Sequence, residues 1–327
     1  MYRAVVKAIK EGRSPMLYTG IEGESLGRTA VLDGQSVYGD PDIVIPPDNL
    51  SALPAVKDGV LVERITTPPR LILCGAGHVS TATARIARMV GFHVAVIDDR
   101  ADFANRERFP EADCILNQPF SQALDSIDAS NAYYVIVTRG HKDDRVCLEK
   151  ILNKPYTYCG MIGSRTKIQG VYQNLLQNGY TEEQLQSVHA PIGLPIGANT
   201  PEEIAVCIVA EMIQVKNTET RGSEWNEPLC RAIEIVNEPF AMVTLISKSG
   251  STPRSTGARM IVKKDGTIIS SIGGGYGEFE AAEHAKSMLR NGPKAMRYTC
   301  RMNNTEAAQK GMICGGSIDI LIQITEA

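Results

Sequence analysis

Four residues, Gly75-Ala76-Gly77-His78, stand between an apolar run and a helical pattern. The run is Leu71-Ile72-Leu73-Cys74, and the pattern has apolar residues at Val79, Ala82, Ile86, Ala87 and Val90. A second apolar run, Val94 to Ile97, ends in Asp98-Asp99. Strand, glycine turn, helix, strand and acid, in that order, suit a nucleotide-like ligand. Gly75 permits a tight turn, and Gly77 lets backbone approach a phosphate. The helix start at His78 offers free N–H groups and a partial positive charge. Asp98 follows Gly75 by 23 positions, where a ribose-binding carboxylate belongs. Ser80 stands where the fingerprint has its third glycine. Glycine turns of this kind also occur in purely structural α/β units, and that reading stays open.

A second group of candidates lies near the C-terminus. Glycines cluster in 249–257, at Gly273-Gly274-Gly275 and at Gly315-Gly316. Such clusters either make tight turns or bring backbone N–H groups to an anion. Arg254 and Arg259 nearby favour a phosphate or oxyanion. Glu278, after the glycines, either answers the helix dipole or orients a ligand. Cys314 sits in a glycine loop, Met312-Ile313-Cys314-Gly315-Gly316. It is either a buried structural thiol or a thiolate, a soft ligand for a transition metal.

These residues need a scaffold. Beyond Ile97, short apolar runs at Ala112–Leu116, Tyr133–Thr138 and Tyr158–Ile162 read as further strands, with helices at 143–152, 166–177 and 181–188. Thr200-Pro201-Glu202-Glu203 is a capping box that opens another helix. Parallel strands joined by helices place ligands at the carboxyl ends of the strands. Asp98, Asp99, Arg139, His141, Ser164 and Arg165 fall in loops at that edge, beside Gly75, Gly77 and His78. No histidine spacing supports a metal site, and His189 reads as a loop histidine. No catalytic residue is assigned.

The chain divides into a small α+β segment (1–65), a doubly wound domain (66–216) and a glycine-loop domain (228–327). Lys216 to Glu227 is polar and reads as a linker. Helix and hairpins are expected in the first segment, with Pro46-Pro47 and Pro68-Pro69 marking looser chain. Its YRAVVKAIKEG…PMLYTGIEG is similar to CRAIEIVNEPFAMVTLISKSG further on. Helix-plus-hairpin is common enough to explain that likeness.

Composition narrows the partners. The 327 residues carry a net charge of -3, with 43% hydrophobic and 22% charged residues. Nothing there calls for nucleic acid or an anionic membrane. No apolar run reaches the roughly 20 residues that span a bilayer. The eight cysteines form no CxxC pair, and Cys74, Cys114, Cys159 and Cys207 sit in apolar runs as expected core residues. The expectation is a reducing, cytoplasmic setting.

Taken together, the motifs resemble the xanthine dehydrogenase accessory factor family (XdhC/CoxI). GAGHVS, VIDDR, the FANRERF of Phe103–Phe109, VTRGHKDD, GMIGSR and HAPIGLPIGANTPEEIA look like its Rossmann half. GSTPRSTGARM, SIGGGYGE and GMICGG look like its other half. Most members place the glycine-loop domain first, whereas here it follows. Some carry a cysteine where this chain has Tyr276, which would leave Cys314 to act alone. The fold implied is α/β, a doubly wound parallel Rossmann sheet plus a smaller α+β domain. The function implied is a chaperone that binds molybdenum cofactor (molybdopterin) and serves a xanthine dehydrogenase-type molybdenum hydroxylase. The glycine turns and arginines would hold its phosphate and oxo groups, Cys314 its molybdenum, and Asp98 or Asp99 its pterin. The alternative is an NAD(P)-dependent oxidoreductase using the Rossmann domain. A homodimer, with the site in a cleft between domains, is the expected assembly.

Overall fold

Tyr2, Val5, Val6 and Ile9 recur at helical spacing and are all buried, so the first helix, α1 (Tyr2–Lys10), is one-sided. It leads into β1 (Met16–Gly20), β2 (Thr29–Asp33) and β3 (Ser36–Gly39), with the expected hairpin at Asp33-Gly34. After these come β4 (Ala55–Lys57) and β5 (Val60–Thr66). β5 pairs antiparallel with β1 from Gly20↔Val60 to Met16↔Arg64, in the middle of its sheet. β5 is an addition to the strands expected from sequence, and residues 67–69 after it carry no regular structure. It contains Glu63, a charge that is fully buried because a distant partner holds it. This computed structural model describes residues 1–44, 53–127, 130–219, 222–250, 255–302 and 316–326.

The α/β region begins with β6 (Arg70–Cys74), α2 (His78–Met89), β7 (His93–Ile97) and β8 (Cys114–Leu116). It continues with α3 (Phe120–Ser126), β9 (Ala132–Ile136), α4 (His141–Leu152), β10 (Tyr158–Met161), α5 (Arg165–Gln177), α6 (Glu182–Gln186) and α7 (Pro201–Glu219). The five strands form one parallel sheet in the order β10-β9-β6-β7-β8. Its two faces carry separate cores. Ile72, Tyr134 and Cys159 pack under α3, α4 and α5, whereas Leu73, Val96 and Tyr133 pack under α2 and α7. Near-continuous apolar strands are what a sheet covered on both faces requires. The capping box at α7 forms: the Glu203 amide donates to Thr200 Oγ1, and the Thr200 amide donates to Glu203 Oε2. Helix α3 is an addition to the elements expected from sequence. Cys114, expected in the core, is exposed because β8 is an edge strand.

The chain then adds β11 (Ser223–Glu224), parallel to the end of β5, and α8 (Glu227–Ile235). Thus α7 and β11 take up much of the stretch expected to be a linker. β12 (Phe240–Gly250), β13 (Arg259–Lys263), β14 (Ile268–Ser270), α9 (Gly275–Asn291), β15 (Ala295–Met302) and β16 (Gly316–Thr325) follow. They form an antiparallel sheet in the order β14-β13-β12-β16-β15. Helix α9 covers one face, with Ala281, Ala282 and Ala285 against Val243, Met260 and Ile320. The other face shares a core with the N-terminal segment, in which Tyr2, Leu17 and Val31 meet Trp225, Met242 and Ile261. By compactness the chain forms two units, residues 1–67 with 221–327, and residues 68–220.

Candidate functional site

The glycine turn after β6 sits where the strand order reverses, between β6 and β9. This is the switch point at which open α/β sheets take ligands. Gly75 has φ +117°, and a Cβ there would lie 2.4 Å from the Val137 carbonyl oxygen. The fold itself demands that glycine. Gly77 is different. It caps α2 with ordinary φ, and a Cβ on it would meet nothing within 4 Å. The space above the helix start is open. Ser80, at the third glycine position, is buried and donates from Oγ to the Gly75 carbonyl oxygen at 2.6 Å. The hydroxyl ties helix to turn, which accounts for a serine there.

Asp98 follows β7 and is buried. Its Oδ2 accepts from the Ala76 amide at 2.9 Å and from Arg100 Nη2 at 2.8 Å. Its Oδ1 accepts from the Arg100 amide and Nε, at 3.1 and 2.8 Å. Burial pushes its pKa up, but the hydrogen bonds from Arg100 and Ala76 outweigh it and hold the carboxyl below its ordinary value. The carboxylate placed on a ribose by sequence spacing is thus occupied in bracing the turn. Asp99, next to it, is exposed.

Two arginines to which sequence alone assigns no role flank Phe103. Arg100 Cζ lies 3.8 Å from the ring centroid, and Arg108 Cζ lies 5.0 Å from it. Arg108 donates from Nη2 to the Ala76 carbonyl oxygen at 3.3 Å, while its Nε is buried without a hydrogen-bond partner. His78, Thr81, Arg85, Arg108 and Glu202 line a pocket of about 410 Å³ at this end of α2. A signal is present in sequence, since Arg108 lies in the FANRERF stretch.

The remaining candidates on this unit follow β9 and β10. Arg139, Ser164 and Arg165 are exposed, and Ser164 caps α5 by accepting from the Lys167 amide. His141 opens α4. Behind them Asp144 is fully buried, accepting from Thr138 Oγ1 at 2.7 Å and facing Lys167 Nζ at 2.5 Å. His189 lies 3.2 Å from Glu211 Oε1, and Tyr158 Oη donates to Glu211 Oε2 at 2.5 Å. The Gly193 amide donates to the same oxygen, so Glu211 pins the HAPIG loop to β10.

On the other unit the ends of three loops meet one sheet edge. β12 ends at Gly250, β13 starts at Arg259, β14 ends at Ser270, β15 ends at Met302 and β16 starts at Gly316. The pairs Gly250↔Gly316 and Met302↔Gly316 fix these ends side by side. Arg254, Cys314 and Gly315 fall outside the described residues. Gly273, Gly274 and Gly275 all have positive φ. Glu278 Oε2 accepts from the Ile272 and Gly274 amides, at 2.9 and 3.0 Å, and from Ser271 Oγ at 2.5 Å. Burial raises its pKa, but these donors bring it below the ordinary value. Glu278 thus fills the turn with the chain's own anion. Arg259, a candidate for anion binding, is buried at 3% exposure and is held by Glu63 and the Gly257 carbonyl oxygen, away from any surface ligand. Among the described residues no group of three metal-ligating side chains occurs, and no described helix is long and apolar enough to cross a membrane.

Comparison with known proteins follows the same division. Residues 71–212 match the XdhC Rossmann domain, and residues 236–299 match the XdhC and CoxI family. A probable xanthine dehydrogenase subunit from Bacillus subtilis is 33% identical over 162 residues, covering 48% of this chain and 46% of its own. An uncharacterized Escherichia coli protein, YqeB, is 38% identical over 155 residues, covering 47% of this chain and 28% of its own. The chain therefore spans less than half the length of these relatives. A solved Bacillus halodurans xanthine dehydrogenase superposes with a TM-score of 0.54 at 25% identity, covering 66% of this chain and 63% of that one. With its Rossmann region preceding its glycine-loop region, this chain belongs to the XdhC and CoxI family.

Proposed function

We propose that the chain is an accessory protein that binds molybdenum cofactor and presents it during maturation of a xanthine dehydrogenase-type molybdenum hydroxylase. The family and its xanthine dehydrogenase-related relatives support an accessory role. The observation that carries cofactor binding is the open, positively charged end of α2. There Gly77 leaves space, and His78, Arg85 and Arg108 line a pocket of about 410 Å³.

That donor set fits the phosphate of a pterin cofactor. Backbone N–H groups at the helix start and the Arg108 fork would hold it. His78, Arg85 and Thr81 line the same pocket, and the exposed Asp99 is the acid left for an aminopyrimidine edge. When bound, the cofactor would supply the molybdenum–oxo centre for the hydroxylase. Arg139, His141, Ser164 and Arg165 are further proposed contacts on this unit; on the other unit Cys314, beside Gly315 and Gly316, is proposed separately as a metal-ligating thiol. The partner is the apo-hydroxylase, and the proposed assembly is a homodimer in the cytoplasm.

A second reading, an NAD(P)-dependent oxidoreductase, is favoured by the position of the glycine turn at the switch point. Equilibrium dialysis against isolated molybdenum cofactor, NAD and NADP separates the two. Retention of the cofactor, with loss in Arg108→Met and Cys314→Ser, is the expected result. Tight NAD or NADP binding without cofactor retention would overturn the proposal.

A further inference from the structure

The N-terminal segment and the C-terminal region share one topology. α1, β1, β2, β3, β4 and β5 run in sheet order β3-β2-β1-β5-β4. α8, β12, β13, β14, β15 and β16 run in sheet order β14-β13-β12-β16-β15. Each is a helix, a three-strand meander and a returning hairpin, with the last strand inserted beside the first. Only α9, between β14 and β15, lacks an N-terminal counterpart among the described residues.

The register matches as closely as the order. Leu17 pairs with Val31 and Glu63, whereas Met242 pairs with Ile261 and Gln323. Thr19 pairs with Thr29 and Leu61, whereas Thr244 pairs with Arg259 and Leu321. The buried helix positions also correspond. Tyr2, Val5, Val6 and Ile9 have the same spacing as Leu229, Ala232, Ile233 and Val236. One small cluster contains Ile21 and Leu61 together with Ile246 and Leu321, two equivalent pairs facing each other.

Buried polar groups follow the same rule, and a paired arrangement accounts for their positions. Arg259 on β13 reaches across to Glu63 on β5. In the mirrored contact, Gln323 on β16 donates to Thr29 Oγ1 on β2 at 2.9 Å. Arg259 and Thr29 hold equivalent positions, as do Glu63 and Gln323. All four are at most 5% exposed. The two contacts thus join equivalent positions about a pseudo-two-fold axis, as in an isologous interface, with both donors, Arg259 and Gln323, on the C-terminal copy.

We infer that residues 1–67 are a second copy of the module formed by residues 227–326, and that they serve as its built-in partner. The two copies cover each other's inner faces. A second chain cannot occupy that face, so any homodimer must use another. The copies have also diverged in their loops. At the N-terminal edge, Glu22, Glu24, Asp42 and Asp58 line a pocket with Arg28, whereas the matching C-terminal edge carries the glycine-rich loops.

Hydrogen exchange on the intact chain tests this. β1, β5, β12 and β16 should open together, with equal protection that does not change with protein concentration. Glu63→Gln should lower protection in both sheets together by at least tenfold. Thr29→Val, which breaks the mirrored contact and removes no charge, should lower both together by a smaller factor. Separate opening of β1 and β5 while β12 and β16 stay protected would overturn the inference. So would protection that rises with concentration, or a Thr29→Val effect confined to one sheet.

Discussion

Two glycine turns in this molecule look alike in sequence and differ in what they leave free. At Gly75–Gly77 a carboxylate, Asp98, braces the turn by accepting from the Ala76 amide. At Gly273–Gly275 a carboxylate, Glu278, does the same through the Ile272 and Gly274 amides. The difference is the surrounding charge. Arg100 neutralises Asp98, and Arg108 stands beside it with Nε unpaired. Glu278 is held by hydroxyl and amide donors, all of them neutral. The first turn remains attractive to an anion; the second already holds one. Glycine spacing reports backbone shape, and the charge around the turn decides whether a ligand anion is welcome.

The largest loss is expected from Gly75→Ala. The position combines φ +117° with a Cβ 2.4 Å from a carbonyl oxygen. Strain and clash together should cost on the order of 3 kcal/mol or more. Urea unfolding followed in the α/β unit checks it. By contrast Gly77→Ala should cost less than about 1 kcal/mol, the scale of an exchanged helix cap. Equal losses would show that both glycines serve only the fold.

Asp98→Asn comes next. It removes the charge that Arg100 and two amides address, and should cost about 1–3 kcal/mol at neutral pH. The sign with pH follows from the lowered pKa of Asp98. A depressed carboxyl contributes stability above its unfolded value near 4 that is lost as pH falls through the lower folded value. The parent should therefore lose stability below about pH 4 more steeply than the variant. Parallel acid limbs would show that the Asp98–Arg100 pair is not a source of stability.

These residues also show what a sequence discloses. The order strand–turn–helix–strand is legible because apolar periodicity and glycines are local signals. β5 is not, because Glu63 reads as an exposed charge until Arg259, nearly two hundred positions away, is seen to pair with it. The same distance hides Arg259, which looks like an anion ligand when only its neighbours are known. Asp98 is legible as the acid that ends β7, but its partners, Ala76 and Arg100, can only be counted in three dimensions. Arg108 lies in the legible FANRERF stretch, but its place beside Ala76 depends on the loop after β7 and is seen only in the fold. A repeat of helix and hairpin is visible in outline, yet the burial pattern aligns the helices one residue away from the sequence match.

Arg108→Met acts on ligand binding rather than on the fold. The side chain is partly exposed, so stability should change by less than about 1 kcal/mol. A lost charge-assisted contact to phosphate should weaken binding roughly tenfold, about 1.4 kcal/mol. Titration with molybdenum cofactor, with inorganic phosphate as competitor, reads this directly. Unchanged affinity would move the phosphate away from α2.

The smallest effect is expected at Glu278→Gln. Glutamine keeps one carbonyl oxygen for the Ile272 and Gly274 amides and for Ser271, so the turn should stay folded. What is lost is the charge on those bonds, about 1 kcal/mol or less. In a unit of this size that is a fall of roughly 2–4 °C in Tm per kcal/mol. The lowered pKa of Glu278 adds a second reading. Its contribution is present above the unfolded carboxyl value and fades as pH falls through the folded one. The difference between parent and variant should therefore shrink on acidification. Binding at the α2 end should not change, because Glu278 belongs to the other unit. If the variant instead gained affinity for phosphate or for the cofactor, the glycine turn at 273–275 would be a ligand site kept closed by its own carboxylate, and the contrast between the two turns would be one of regulation.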